Sequence, residues 1–283
     1  VQTTLKKPVC CEGIDITGTT WASVTLKPAP PDHGIVFYRD DLPASPPVHC
    51  NARNATVDSR WTSLEEKGVR VEHTEHLLAA IGGLGIDNLE VRMNCASIPV
   101  VDGYSCSDFV RSILKAGLRK QRGSERCIEI KGRYLLQGQF SYNGKNYDRY
   151  LAVLPAKHLE LTYILDYPDR SLPTQLAHSI ITPEVFTEEL ANARSFISER
   201  EYREVSAMIG KGTESLLVFS ARDGGLGSLR WPNEPARHKL VDLLGDLRVA
   251  GQRIKGKFIA FRSGHQLNIE MVKEIIKNEG GNI

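Results

Sequence analysis

No stretch of about 18 consecutive apolar residues occurs in this chain, so it offers no candidate membrane-spanning helix. None of its six cysteines (Cys10, Cys11, Cys50, Cys95, Cys106 and Cys127) is spaced as a CxxC pair. A chain of 283 residues can bury a core without disulfides, so free thiols and a reducing, cytoplasmic compartment are expected. A formal net charge of +2 gives no electrostatic reason to expect nucleic acid as a partner. Neither HExxH nor HxxEH is present, which excludes the common zinc-protease signatures. The glycine-rich run DGGLGSLRW, Asp223 to Trp231, lacks the Lys-Ser/Thr of a phosphate-binding loop and reads as a hairpin. The chain starts at Val1, and a leader or tag removed ahead of it is compatible with the sequence.

An apolar content of 41% is enough to fill cores, and the chain is long enough for two domains. In the first half ASVTLKPAP, GIVFYRD and LEVRMN read as strands, while the run from His76 to Ile81 and SDFVRSILKAG read as helices. In the second half CIEIKGRYLL, YLAVLPA, LELTYIL and SLLVFSA read as strands. TPEVFTEELANA, with Thr182 and Pro183 at its start, and RHKLVDLLGDLRVAG read as helices. This order fits an α+β layer fold repeated twice. The polar, basic run GLRKQRGSER reads as the junction, giving domains at residues 1–118 and 127–283 with a linker at 119–126.

Within HKLVDLLGD, His238 and Asp242 stand four apart on an amphipathic helix and so share one face, where both could grip a single metal ion. An imidazole and a carboxylate suit Zn2+, which at catalytic sites takes three protein ligands and keeps a fourth position open. Alone, the HxxxD spacing is far more often the solvated side of a helix. The first half holds a second cluster, RVEHTEHLLAAIGGLGIDN, in which Glu75 and His76 precede an apolar run closed by Gly82, Gly83 and Gly85, with Thr74 as candidate N-cap. A glutamate beside a ligand histidine can serve as base toward the same metal. The alternative is a charged first turn that complements the helix dipole.

These segments, together with TLKKPV, VTLKPAPPDHGIVFYRDDL, IPVVDG, ARSF and FRSGHQLN, stand in the order found in the UDP-3-O-acyl-N-acetylglucosamine deacetylase family, which the chain resembles over nearly its whole length. The resemblance implies an α+β fold of two similar domains, layered sheets and helices with the metal site in the cleft between them. It implies metal ligands His76, His238 and Asp242, with Zn2+ as cofactor and Fe2+ satisfied by the same donors. Glu75 would be the general base. His265 would be the group that protonates the leaving amine or stabilises the oxyanion, and Asp246 the acid that orients it. Ser195 would face the oxyanion, and Lys239 would help hold the substrate. Phe196 reads either as a stacking surface for the substrate or as a core residue. The implied partner is a small acylated UDP-amino sugar, deacetylated by a monomer in lipid A biosynthesis.

Two departures qualify the resemblance. Thr17 stands where the family carries a histidine, and the segment after Ser195, FISEREYREVSAMIGKG, crowds Glu199, Arg200, Glu201, Arg203 and Glu204 where the family builds an apolar acyl passage. Ions lining such a passage would lose hydration, so these charges are expected to turn outward from a short helix whose Phe196, Ile197, Tyr202 and Val205 face inward. A paralogous deacetylase acting on a different or shorter-acyl N-acetyl sugar or sugar nucleotide, or a catalytically silent homologue that binds a sugar nucleotide or lipid, is the alternative function. IPVVDG reads as a strand closed by an Asp-Gly turn, or else as a turn that shapes the cleft.

Overall fold

The computed structural model describes the chain except residues 59, 169–171, 207–215, 220–227 and 281–283, and except the side chains of Arg200, Glu204, Val205 and Ser206. Its helices are α1 (Glu75–Gly83), α2 (Ser107–Ala116), α3 (Pro183–Val185), α4 (Glu199–Ser206), α5 (Glu234–Arg248) and α6 (His265–Glu279). The first half builds a five-stranded sheet in the order Val9–Ile14, Trp21–Pro28, Leu89–Met93, Ile35–Arg39, Val48–His49, beside a small antiparallel sheet of Ala55–Val57, Thr62–Glu66 and Val69–Val71. The second half builds a sheet in the order Tyr134–Tyr142, Lys145–Leu154, Arg253–Phe261, Leu159–Leu165, Gln175–Ile180, with Cys127–Glu129 parallel to the start of the central strand. The mixed α+β layering matches the expected class.

Helices α1, α2, α5 and α6 link the two sheets. Helix α2 packs on the Val9–Ile14 strand, α5 and α6 pack on the second sheet, and α1 meets α5 across the middle. This position explains the composition of α1: a helix with protein on every side is apolar all round, and Leu77, Leu78, Ala79, Ala80 and Ile81 are all fully buried. Gly245 allows the close approach of α5, because a Cβ there would stand 2.0 Å from the Glu75 carbonyl oxygen. Thr74 occupies the N-cap position of α1, yet its hydroxyl donates to the Thr62 carbonyl instead of capping the helix.

Several local expectations are corrected. Within the run read as a linker, Leu118–Gln121 forms a strand antiparallel to Gln2–Leu5. CIEIKGRYLL divides into two strands, the second opening a hairpin whose turn, Asn143-Gly144, has φ of 50° and 71°. Both positive values suit an Asn-Gly turn matched to strand twist. TPEVFTEELANA yields one α-turn, capped by the Thr182 hydroxyl, that widens into a π-turn over Phe186–Leu190. IPVVDG is not a strand: Val100 makes a single bridge to Ile14, and Asp102–Tyr104 forms a 3-10 turn around Gly103 at φ 66°. Helix α5 begins at Glu234, three residues before RHKLVDLLGD. Among the described residues all six cysteines are free. No described helix is long and apolar enough to cross a membrane. The hairpin expected over Asp223–Trp231 falls mostly outside the described residues.

Candidate metal centre

Helix α1 brings His76, and α5 brings His238 and Asp242, to one place. The three offer ligand atoms within 4.8 Å of one another, and all three residues are buried. Asp242 Oδ1 stands 3.4 Å from His76 Nε2 and 3.3 Å from His238 Nε2. His238 Nδ1 faces the Ala193 carbonyl at 3.0 Å, which fixes the ring with Nε2 directed at its companions. Burial pushes the His238 imidazole down to about 4, despite the opposing pull of Asp242, so the ring is neutral and able to ligate at neutral pH. Among the described residues neither ring nitrogen of His76 has a hydrogen-bond partner. A buried imidazole left unsatisfied is costly, and a cation bound there would satisfy it. The donor set and this orphaned ring fit a divalent metal ion.

Burial opposes ionisation of Asp242, but Lys239 and His238 outweigh it and hold the carboxyl well below the usual carboxylate range. Lys239 Nζ donates to Asp242 Oδ2 at 2.6 Å. Glu75, on the first turn of α1, is 2% exposed, and burial raises its carboxyl above the usual range against the opposing pull of His265 and His76. Its Oε2 accepts the Thr62 N–H at 3.0 Å, while Oε1 lies 3.9 Å from His73 Nε2. His265, the first residue of α6, sets its Nδ1 2.9 Å from Asp246 Oδ2. Burial would depress this imidazole, but Asp246, with Glu75 and Asp242 adding to it, raises it to about 9.

The expected residues therefore converge. His76, His238, Asp242, Glu75, His265, Lys239, Ser195 and Phe196 all line one cleft of about 910 Å3. Asp246 is fully buried behind His265. Phe196 presents its edge to the His238 ring, with centroids 6.4 Å apart, and groups with Tyr167 and Phe219. Thr17 is not among the cleft residues; it is exposed and hydrogen-bonded to Asp15, while neighbouring Ile16 lines the cleft. The charges after Ser195 form α4, where Arg203 pairs with Glu199. Ser198 and Glu201 close a reciprocal capping box: Glu201 accepts from the Ser198 N–H, and the Ser198 hydroxyl accepts from the Glu201 N–H. Glu201 itself lines the cleft beside the apolar wall of Ile197 and Leu216, so the expectation that these charges turn outward fails for Glu201, whose carboxylate is held by the Ser198 N–H. Tyr202 is half-buried, and the Val205 side chain is outside the described residues.

Several residues escaped the sequence reading. Arg194 binds the fully buried Glu234 with its N–H and guanidinium, tying the ARSF loop to the start of α5 and setting the Ala193 carbonyl against His238. Arg230 pairs with Asp102, bracing the turn that places Tyr104 edge-on to His73 at 5.6 Å. IPVVDG thus shapes the cleft, the second of its two readings. His73 is buried in the wall at φ 59°, and with Glu75 and His76 it makes a second trio of close ligand atoms. None of these pairs is close in sequence; only the unusual HTEH run carried a local signal.

Comparison with known proteins agrees with this geometry. The family model LpxC, UDP-3-O-acyl N-acetylglycosamine deacetylase, matches residues 2–277. A UDP-3-O-acyl-N-acetylglucosamine deacetylase of Chlamydia felis is 34% identical, over 98% of this chain and 97% of its own. Proteins of the same name from Myxococcus xanthus and Xanthomonas campestris are 30% and 31% identical over 98% of this chain, covering 87% and 91% of theirs. The chain belongs to the UDP-3-O-acyl N-acetylglycosamine deacetylase family, the LpxC deacetylases, enzymes that hydrolyse an amide bond.

Proposed function

We propose that the protein removes acetate from UDP-3-O-acyl-N-acetylglucosamine in lipid A biosynthesis, in the cytoplasm and as a monomer, using Zn2+ held by His76, His238 and Asp242. The observation that carries this reading is the meeting of three buried ligand atoms within 4.8 Å of one another, in a cleft also lined by Glu75 and His265. All of these groups come from one chain, so a monomer is competent. The ligands come from both sides of residues 119–126, which supports a division into domains 1–118 and 127–283 with the reaction between them. Fe2+ would be accepted by the same donors.

Zn2+, when bound, supplies Lewis acidity toward water and the acetyl carbonyl. Glu75 takes the proton of the attacking water; with Oε2 held by Thr62, Oε1 is the atom left to receive it. A carboxyl raised by burial is a better base than an exposed one, because its conjugate acid lies closer to neutrality. His265 stays cationic at neutral pH, and with Nδ1 engaged by Asp246 it delivers a proton from Nε2 to the departing amine. Ser195 offers a hydroxyl to the oxyanion. Arg149, Arg262 and Lys273 line the same cleft and suit a diphosphate, and Lys239 adds charge beside them. Phe196 supplies an aromatic face to the substrate.

The test is acetate release by zinc-loaded protein from substrates with a long and a short 3-O-acyl chain, beside UDP-N-acetylglucosamine. The long chain is expected to be preferred. Turnover confined to the short or unacylated substrate would overturn the substrate assignment. Metal analysis tests the ligands: His238→Ala and Asp242→Ala are each expected to lose bound zinc, and full retention in either would remove that residue from the set.

A further inference from the structure

Thr62 opens the strand Thr62–Glu66 and is fully buried. Its N–H donates to Glu75 Oε2 at 3.0 Å, and its hydroxyl donates to Asp246 Oδ1 at 2.6 Å. Its carbonyl accepts the N–H of Thr74 at 2.9 Å and the Thr74 hydroxyl at 3.0 Å, which locks the strand to the start of α1. One residue of the first half thus holds the carboxylates of two helices, one on α1 and one on α5. Asp246 Oδ2 takes the His265 imidazole at 2.9 Å and the Asn268 amide at 2.8 Å, and Asn268 is itself held by the Ser263 hydroxyl. Among the described residues three donors therefore fix the Asp246 carboxylate, and of these only Thr62 reaches across from the first half.

We propose that Thr62 is a positioning residue of the deacetylation: its N–H sets the Glu75 carboxylate and its hydroxyl sets Asp246, and through Asp246 the His265 ring, in one frame. The assignment rests on the roles given above to Glu75 and His265. A backbone N–H survives any substitution, so the hydroxyl is the part that mutation can remove. Without it Asp246 Oδ1 is left buried with no side-chain donor among the described residues, and the carboxylate plane can turn, carrying the imidazole away from the amine it must protonate. Hydrogen bonds to charged acceptors are the strong class, and an acid or base displaced by a fraction of an ångström loses rate without losing substrate affinity.

Thr62→Val keeps the shape and removes the hydroxyl, while Thr62→Ser restores it. Each is measured for kcat, KM and zinc content on the long-acyl substrate, alone and combined with His265→Ala. In Thr62→Val, kcat is expected to fall by about 10- to 100-fold with KM within about twofold and zinc retained. Thr62→Ser should recover most of the rate. On the His265→Ala background the valine should change kcat by less than about threefold, because the group it positions is gone. A kcat within about threefold of wild type for Thr62→Val, or an equal loss with and without His265, overturns the proposal. Should the valine variant not fold, Thr62→Cys, a weak donor of similar size, is judged by the same two outcomes. If Glu75→Ala and His265→Ala leave turnover of the wild-type protein unchanged, the roles of those residues fail and the Thr62 assignment falls with them. A loss in both with none in Thr62→Val rejects Thr62 alone.

Discussion

Glu75 and His265 line the same cleft, and different surroundings raise both groups above their ordinary values. Burial raises Glu75 above the usual carboxylate range, and Asp246 lifts His265 to about 9 against burial, so the imidazole is charged at neutral pH and suits the acid of the proposed pair. Because the His265 acid is present only while protonated, kcat is expected to hold through neutrality and fall as pH rises through about 9. In His265→Ala that alkaline limb should vanish; a limb at the same position would show that another group titrates. The stability term has the same direction: a folded value above the ordinary 6.5 contributes fully below that pH and is lost as pH rises through about 9. Glu75→Gln keeps an oxygen for the Thr62 N–H, so it should retain zinc and fold while kcat drops by roughly 10²- to 10⁴-fold. Near-normal turnover in that variant would displace Glu75 as base. Both residues were visible in the sequence because each sits in a dense motif. Thr62, Arg194 and Glu234 were not, because their partners lie 184 and 40 residues away and no local pattern marks such a pairing.

Helices α1 and α5 carry the centre, and the contact between them depends on Gly245. A methyl group there would meet the Glu75 carbonyl at 2.0 Å, and backbone cannot step aside as a flexible side chain could. Gly245→Ala is therefore expected to destabilise the fold by about 2–3 kcal/mol or more and to weaken metal retention, since it moves His76 relative to His238 and Asp242. Urea unfolding with metal analysis checks this, and unchanged stability would mean that the helices have room the structure does not show. Both helices were legible from apolar periodicity, as were strands with alternating burial such as Leu159–Leu165, whereas the central strand Arg253–Phe261 was not read. Elements defined by a partner were not: Leu118–Gln121 looks like a polar connector until Gln2–Leu5 lies beside it. The Asn-Gly hairpin and the Ser198–Glu201 capping box did carry local signals, and the box explains how a charged segment can border the cleft. Ser198→Ala removes one side of that box and should lower stability by about 1 kcal/mol with little change in zinc content.

At the scale of the whole molecule, one of the proposed ligands comes from the helix of the first half and two from the helix of the second, so metal binding should tie the two sheets together through their inner layers. An ion that binds only the folded state adds free energy in proportion to the logarithm of its excess over Kd, about 4 kcal/mol at a thousandfold excess. For a chain of 283 residues that corresponds to a rise in Tm of roughly 5–10 °C. Removing zinc with a chelator should lower Tm by that amount and speed amide exchange in α1 and the middle of α5, where the proposed ligands sit, more than in the outer strands. The same treatment of Asp242→Ala should change little, because that variant has lost the clamp already. If chelation left Tm and exchange in the wild type untouched, the metal would be a passenger on a scaffold that Gly245, the Arg194–Glu234 pair and the Thr62 bridges hold closed unaided.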